Sequence, residues 1–132
     1  MSFASDVQRF SVKAEKAVDK TVRAITFALF REVIQRTPVD TGRLKGNWQT
    51  TVNAPATTVL TRDDVIGGRA ISEIVSNGGG WGSKTFLTNN LPYAERIEFD
   101  GWSHTKAPAG MVRVSFARIT AIVGKAAREN RV

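Results

Sequence analysis

Three short stretches of this 132-residue chain carry residue types that do chemistry in other settings. Asp40-Thr41-Gly42, within TPVDTGRLKGNW at 37–48, is the tripeptide that presents one of two water-sharing carboxylates in aspartic proteases. VIGG at 65–68 imitates the apolar-apolar-Gly segment that accompanies it in small homodimeric proteases of the retroviral type. The flanks argue against that chemistry. Pro38-Val39 stands where an apolar strand is needed, and Arg43 would hold Asp40 ionised and spoil proton sharing across a dyad. A turn explains the same residues. Pro38 stops a helix, Asp40 or Thr41 accepts backbone N–H bonds, Gly42 takes a positive φ, and Leu44 and Trp48 point into the core.

SNGGGWGSKT at 76–85 raises phosphate binding, because glycine-rich loops ending in Lys-Thr can cradle phosphates with backbone N–H groups. The phosphate-loop spacing requires Gly where Ser83 stands, and Phe86-Leu87-Thr88-Asn89 continues as a strand where a helix is needed. A mobile loop offering Trp81 as a contact is the expected reading. Glu95, Glu98 and Asp100 with His104 form a possible metal set, but a carboxylate-rich helix end beside a lone histidine reads as surface. Trp81, Trp102 and Tyr93 near Lys84, Arg96 and Lys106 suggest single-stranded nucleic acid. Glu95, Glu98 and Asp100 put negative charge in that same region, so core or interface anchoring is preferred for the aromatics. No catalytic residue, cofactor or metal is assigned.

The elements that must position these stretches follow from periodicity. Phe3, Val7, Phe10, Ala14, Ala17, Val18, Ile25, Leu29 and Val33 recur at three- and four-residue steps, predicting one helix from Ser2 to Arg36 capped by Ser2 or Ser5. Pro38 biases Thr37 out of helical geometry and ends it. Leu44, Gly46, Trp48, Thr50 and Val52 alternate with Lys45, Asn47, Gln49 and Thr51, predicting a strand over 43–53. Residues 54–68 read as strand fragments joined by loop, 70–76 as a short helix, and 84–89 as a strand. Pro92 opens a short helix through Phe99, and Val112, Phe116, Ile119 and Val123 predict a second long helix from Gly110 onward. The expected fold is α+β: two long amphipathic helices, N- and C-terminal, on a small mainly antiparallel sheet, with a short helix between, in one domain spanning 1–132.

Composition narrows the functional classes. The chain has no cysteine, which excludes disulfides, thiolate zinc sites and thiol nucleophiles, and the single His104 cannot build a multi-histidine site. No apolar run approaches the roughly 18 residues of a membrane span, so a soluble, unprocessed chain with no membrane role is expected. The net charge of +7 is polar along the sequence: +4 over 1–46, −2 over 47–103 and +5 over 104–132. Such polarity suits head-to-tail contact between copies, or contact with a polyanion such as DNA.

Together, TPVDTGRLKGNW (Thr37 to Trp48), NNLPYAERIE (Asn89 to Glu98) and APAGMVR (Ala107 to Arg113) resemble a family of tailed-bacteriophage tail-completion or minor tail components, also described as neck or head-tail joining proteins. The chain departs from that pattern at Phe99-Asp100-Gly101, where Tyr-Gly is common, and over 54–82. The resemblance implies a structural virion protein and no catalysis. It implies a homo-oligomeric ring, commonly hexameric, assembled in the host cytoplasm and placed in the virion neck. Partners would be the tail terminator and head-completion or connector proteins, with nonspecific contact to DNA in the lumen. Folding roles are expected for Pro38, Asp40, Thr41, Gly42, Leu44, Trp48, Pro92, Tyr93, Pro108 and Gly110, and interface roles for Trp81, Trp102 and Arg113. A basic DNA-binding or DNA-packaging accessory protein is the alternative, and a protease through Asp40-Thr41-Gly42 the remote one.

Overall fold

The apolar period of the first 36 residues produces helix α1, Phe3–Arg36, in a computed structural model that describes residues 2–39, 41–99 and 110–130. Ser2 caps it by accepting the Ser5 N–H at 3.2 Å. Thr37 leaves the helix with extended geometry, as the following Pro38 demands, and Asp6 and Arg36 complement the two ends of the helix dipole. The elements that follow are α2 (Arg43–Gly46), β1 (Gln49–Val52), α3 (Gly68–Asn77), β2 (Thr85–Thr88), α4 (Ala94–Phe99), α5 (Val112–Phe116) and α6 (Ile119–Glu129). β1 and β2 pair antiparallel, with Gln49 opposite Thr88 and Val52 opposite Thr85. The architecture is the expected α+β arrangement of long N-terminal helix, C-terminal helix and small antiparallel sheet.

The core gathers at the C-terminal third of α1. Val33, Ile34, Leu44, Trp48, Ala70, Ile74, Leu91, Ala94, Ile97 and Met111 form one buried cluster, with Phe27, Phe30, Ile71, Leu87, Tyr93 and Val112 packed around it. α3 lies between α1 and the sheet, touching both, while α5 and α6 pack on α1. Leu44 and Trp48 therefore do sit in the core, and Tyr93 lines its edge.

Several local expectations are corrected. Residues 43–46 form a helical turn instead of the start of a strand, so Leu44, Lys45 and Gly46 are buried consecutively and not alternately. Gly42 enters that turn at φ +88°. Of the strand expected over 43–53, only 49–52 pairs, and among the described residues 54–64 contains no helix or paired strand. Pro92 lies in the turn before α4, which begins two residues later. The C-terminal helix is broken at Ala117-Arg118, where the Arg118 guanidinium turns to Glu32 on α1.

Candidate interaction surfaces

The corner that carries Thr41 and Gly42 is built from hydrogen bonds to distant chain. Thr37 Oγ1 donates to the Val33 carbonyl at 2.8 Å and accepts from Trp48 Nε1 at 2.7 Å, both inside the core. The Gly42 carbonyl accepts from Gly46 N–H (2.8 Å) and Asp64 N–H (2.9 Å). A Cβ on Gly42 would stand 2.7 Å from the Val65 nitrogen, so the position is closed to any side chain. Thr41 Oγ1 accepts the Arg43 N–H at 3.3 Å. Asp40, the residue of the protease hypothesis and of the turn reading, lies outside the described residues. The surroundings of the tripeptide are a 34-residue helix and a glycine turn, where the protease fold needs strands.

Residues that the sequence did not single out fasten 54–67 to this corner. Fully buried Asn47 donates through Nδ2 to the carbonyls of Arg43 (2.8 Å) and Leu60 (3.0 Å), and its Oδ1 accepts the Leu60 N–H at 2.7 Å. Arg62 donates to the Gly46 carbonyl (2.8 Å), the Trp48 carbonyl (3.2 Å) and both carboxylate oxygens of Glu73 on α3. Asp64 caps α3 by accepting the N–H groups of Arg69 (2.9 Å) and Ala70 (3.0 Å). Burial pushes the Lys45 ammonium below the usual lysine range, with Asp64 opposing the shift. Asn, Arg and Asp at irregular spacing in an apparent loop are what exposed chain would also show, so no signal in the sequence marks these fastenings.

A second clamp joins α4 to α5. The Glu98 side chain, 9% exposed, accepts the N–H groups of Met111, Val112 (2.8 Å) and Arg113 (2.8 Å), and pairs with Arg113 Nε at 3.2 Å. Burial alone would raise its carboxyl, but those N–H groups and Arg113 outweigh it and hold Glu98 below the ordinary glutamate range. Gly110 sits at φ +89°, where a Cβ would stand 2.6 Å from the Glu98 carbonyl oxygen. The Arg113 guanidinium also reaches the Glu98 carbonyl, so this candidate interface residue is engaged within its own chain.

The glycine-rich loop is tied to α1. Asp19 Oδ1 on α1 accepts the Trp81 N–H at 2.9 Å, and Arg23, paired with Asp19 at 2.9 Å, reaches the Gly78 carbonyl at 3.4 Å. Its hydrogen bonds to Arg23 and the Trp81 N–H keep the Asp19 carboxyl low. A carboxylate of the same chain thus occupies a backbone N–H that phosphate binding would need. The loop fastened there displays Trp81, 66% exposed. Trp102, Pro108, Asp100 and His104 lie outside the described residues.

Apolar surface concentrates elsewhere. Phe3 (84% exposed), Val7 and Phe10 (63%) stand clear on the first half of α1, and Ile66, Val75 and Phe116 are also exposed. Among the described residues, no three His, Asp or Glu side chains gather as a metal site, and no helix is long and apolar enough to cross a membrane.

Charged groups clamp an α+β fold, and an apolar helix face stands exposed among the described residues. A family model described as "Bacteriophage HK97-gp10, putative tail-component" matches residues 2–99, and the chain belongs to that family of tailed-phage tail components. Its role is therefore structural and its place the virion tail. The resemblance read from the Thr37–Trp48 and Asn89–Glu98 segments falls inside that match. No curated protein and no solved structure matches the chain.

Proposed function

We propose that this protein completes the phage tail and helps join it to the DNA-filled head, working at the neck as a homo-oligomeric ring, commonly sixfold. The observation that carries this reading is the family match over residues 2–99, which spans the bare half of α1, the corner and α4. Physical support comes from surplus apolar surface away from the first half of α1: a tryptophan 66% exposed on a fastened loop is a contact awaiting a neighbour. In this reading residues 1–132 act as one domain, and a heterologous contact repeated around an axis closes the ring. The tail terminator lies on one side, and head-completion or connector proteins on the other. In this reading the basic residues of α6, Arg128 and an exposed Lys125 paired with Glu129, face DNA passing through the lumen.

Electron microscopy of particles made without this protein tests the proposal. Free heads beside free tails are the expected outcome. Normally joined, infectious particles in its absence would overturn the neck assignment.

A further inference from the structure

The first half of α1 carries an apolar seam that stands exposed at Phe3, Val7 and Phe10 and is half-buried at Ala14, Ala17 and Thr21. Phe3, Val7, Phe10, Ala14, Ala17 and Thr21 succeed one another at alternating steps of four and three, the spacing of a coiled-coil seam. Further along α1 the corresponding face is covered by α6. Arg118 at the start of α6 meets Glu32, and the groove between the helices is lined back to Ala24 on α1 and out to Glu129 on α6. Eleven residues of α6 extend about 16 Å, so among the described residues its cover ends about level with residue 21 of α1 and the seam runs on beyond it.

We propose that a second copy of this chain covers it, the two helices pairing antiparallel about a two-fold axis level with residue 12. In that register Phe3 faces Thr21 of the second copy, Val7 faces Ala17, and Phe10 faces Ala14, so every layer joins a large side chain to a small one. Thr21 can serve in such a layer because its hydroxyl is already spent on the Ala17 carbonyl at 2.8 Å. The flanking positions agree. Ala4 faces Val18 and Asp6 faces Lys20 of the second copy, each twice by symmetry, while Lys13 meets Lys13 at the axis as the one like-charge contact. A one-heptad shift in one direction would drive the second helix into α6. The opposite shift sets Val7 against Phe10 and shortens the seam. Parallel pairing stacks Phe on Phe and Ala on Ala, leaving voids. The proposed register is the longest that α6 permits, and it places the start of each helix in line with the end of the other copy's α6, head to tail with its dipole. This pairing goes beyond the ring reading and is independent of it, since an isologous contact joins two chains and closes no ring.

The chain has no native cysteine, so single cysteines report the register directly. Purified full-length protein is expected to show a concentration-dependent monomer–dimer equilibrium by sedimentation, lost in Phe10→Asp, whose circular dichroism stays native because residue 10 is 63% exposed. Lys13→Gln should tighten the dimer. Under mild oxidation Ser11→Cys should give a disulfide-linked dimer and Ala4→Cys alone should not, whereas Ala4→Cys mixed with Val18→Cys should. A monomer at every concentration, an oligomer untouched by Phe10→Asp, or Ala4→Cys linking to itself as readily as Ser11→Cys would each overturn the pairing.

Discussion

Glu98 shows how much a single side chain can hold in this protein. It accepts hydrogen bonds from three N–H groups at the start of α5 and pins Arg113, and it can do so only because Gly110 lets the backbone approach it. Its folded pKa lies below the unfolded value, so its contribution to stability is fully present above that unfolded value of about 4.3 and is lost as pH falls through the folded pKa. Glu98→Gln places an amide N–H against N–H donors and removes a titrating group. At neutral pH the variant should be destabilised by about 2 kcal/mol in urea unfolding, and the gap from the parent should close as the solution is acidified below pH ~4. Glu98 stands in the sequence as one of several acids near a histidine, and nothing local marks it as a cap. Its partners are thirteen to fifteen positions away.

Among the elements, those whose partners are local were legible from the sequence. The spacing of apolar residues and Pro38 define α1 to within a residue, and α3 and β2 fall where their short patterns place them. The segment over 43–48 was misread because Leu44, Gly46 and Trp48 imitate a two-residue period. Residue 46 is glycine for a different reason: it must pass close to the Arg62 carbonyl, sixteen residues on. The break in the C-terminal helix is hidden in the same way, since the partner of Arg118 is Glu32 on α1. Asn47 is one of the residues through which the 54–64 stretch is held. Asn47→Ala removes three hydrogen bonds from a fully buried site and should cost about 2–3 kcal/mol. Hydrogen exchange should then accelerate first at Leu60 and its neighbours, with the amides of mid-α1 unchanged under native conditions.

On the scale of the whole molecule, net charge and exposed apolar surface point to different partners. The +7 charge predicts weak, sequence-independent attraction to duplex DNA, and the clamps already engage Arg23, Arg62, Arg113 and Arg118 with carboxylates. Titration with duplex DNA at increasing salt should therefore show weak binding with a shallow dependence, on the order of a few phosphate contacts. A steep slope with tight binding at physiological salt would favour the DNA-binding alternative over a tail component that only lines a channel. The sequence exposed the family through short motifs that lie where the chain turns. Which apolar residues face outward had to come from the structure, because the periodicity of Phe3 and Phe10 is the same whether a helix meets its own domain or another chain.

The corner at 37–48 also bears on how the protein can be taken apart. Gly42 hydrogen-bonds to residue 64, Gly46 and Trp48 to Arg62, and Asn47 to Leu60. A dozen residues that look like a self-contained signature are thus only half of a joint whose other half arrives along the chain later. The motif is not portable: grafted onto another helix without the 60–64 strip it would lose its shape, and a fragment cut before residue 60 would keep the letters without the corner.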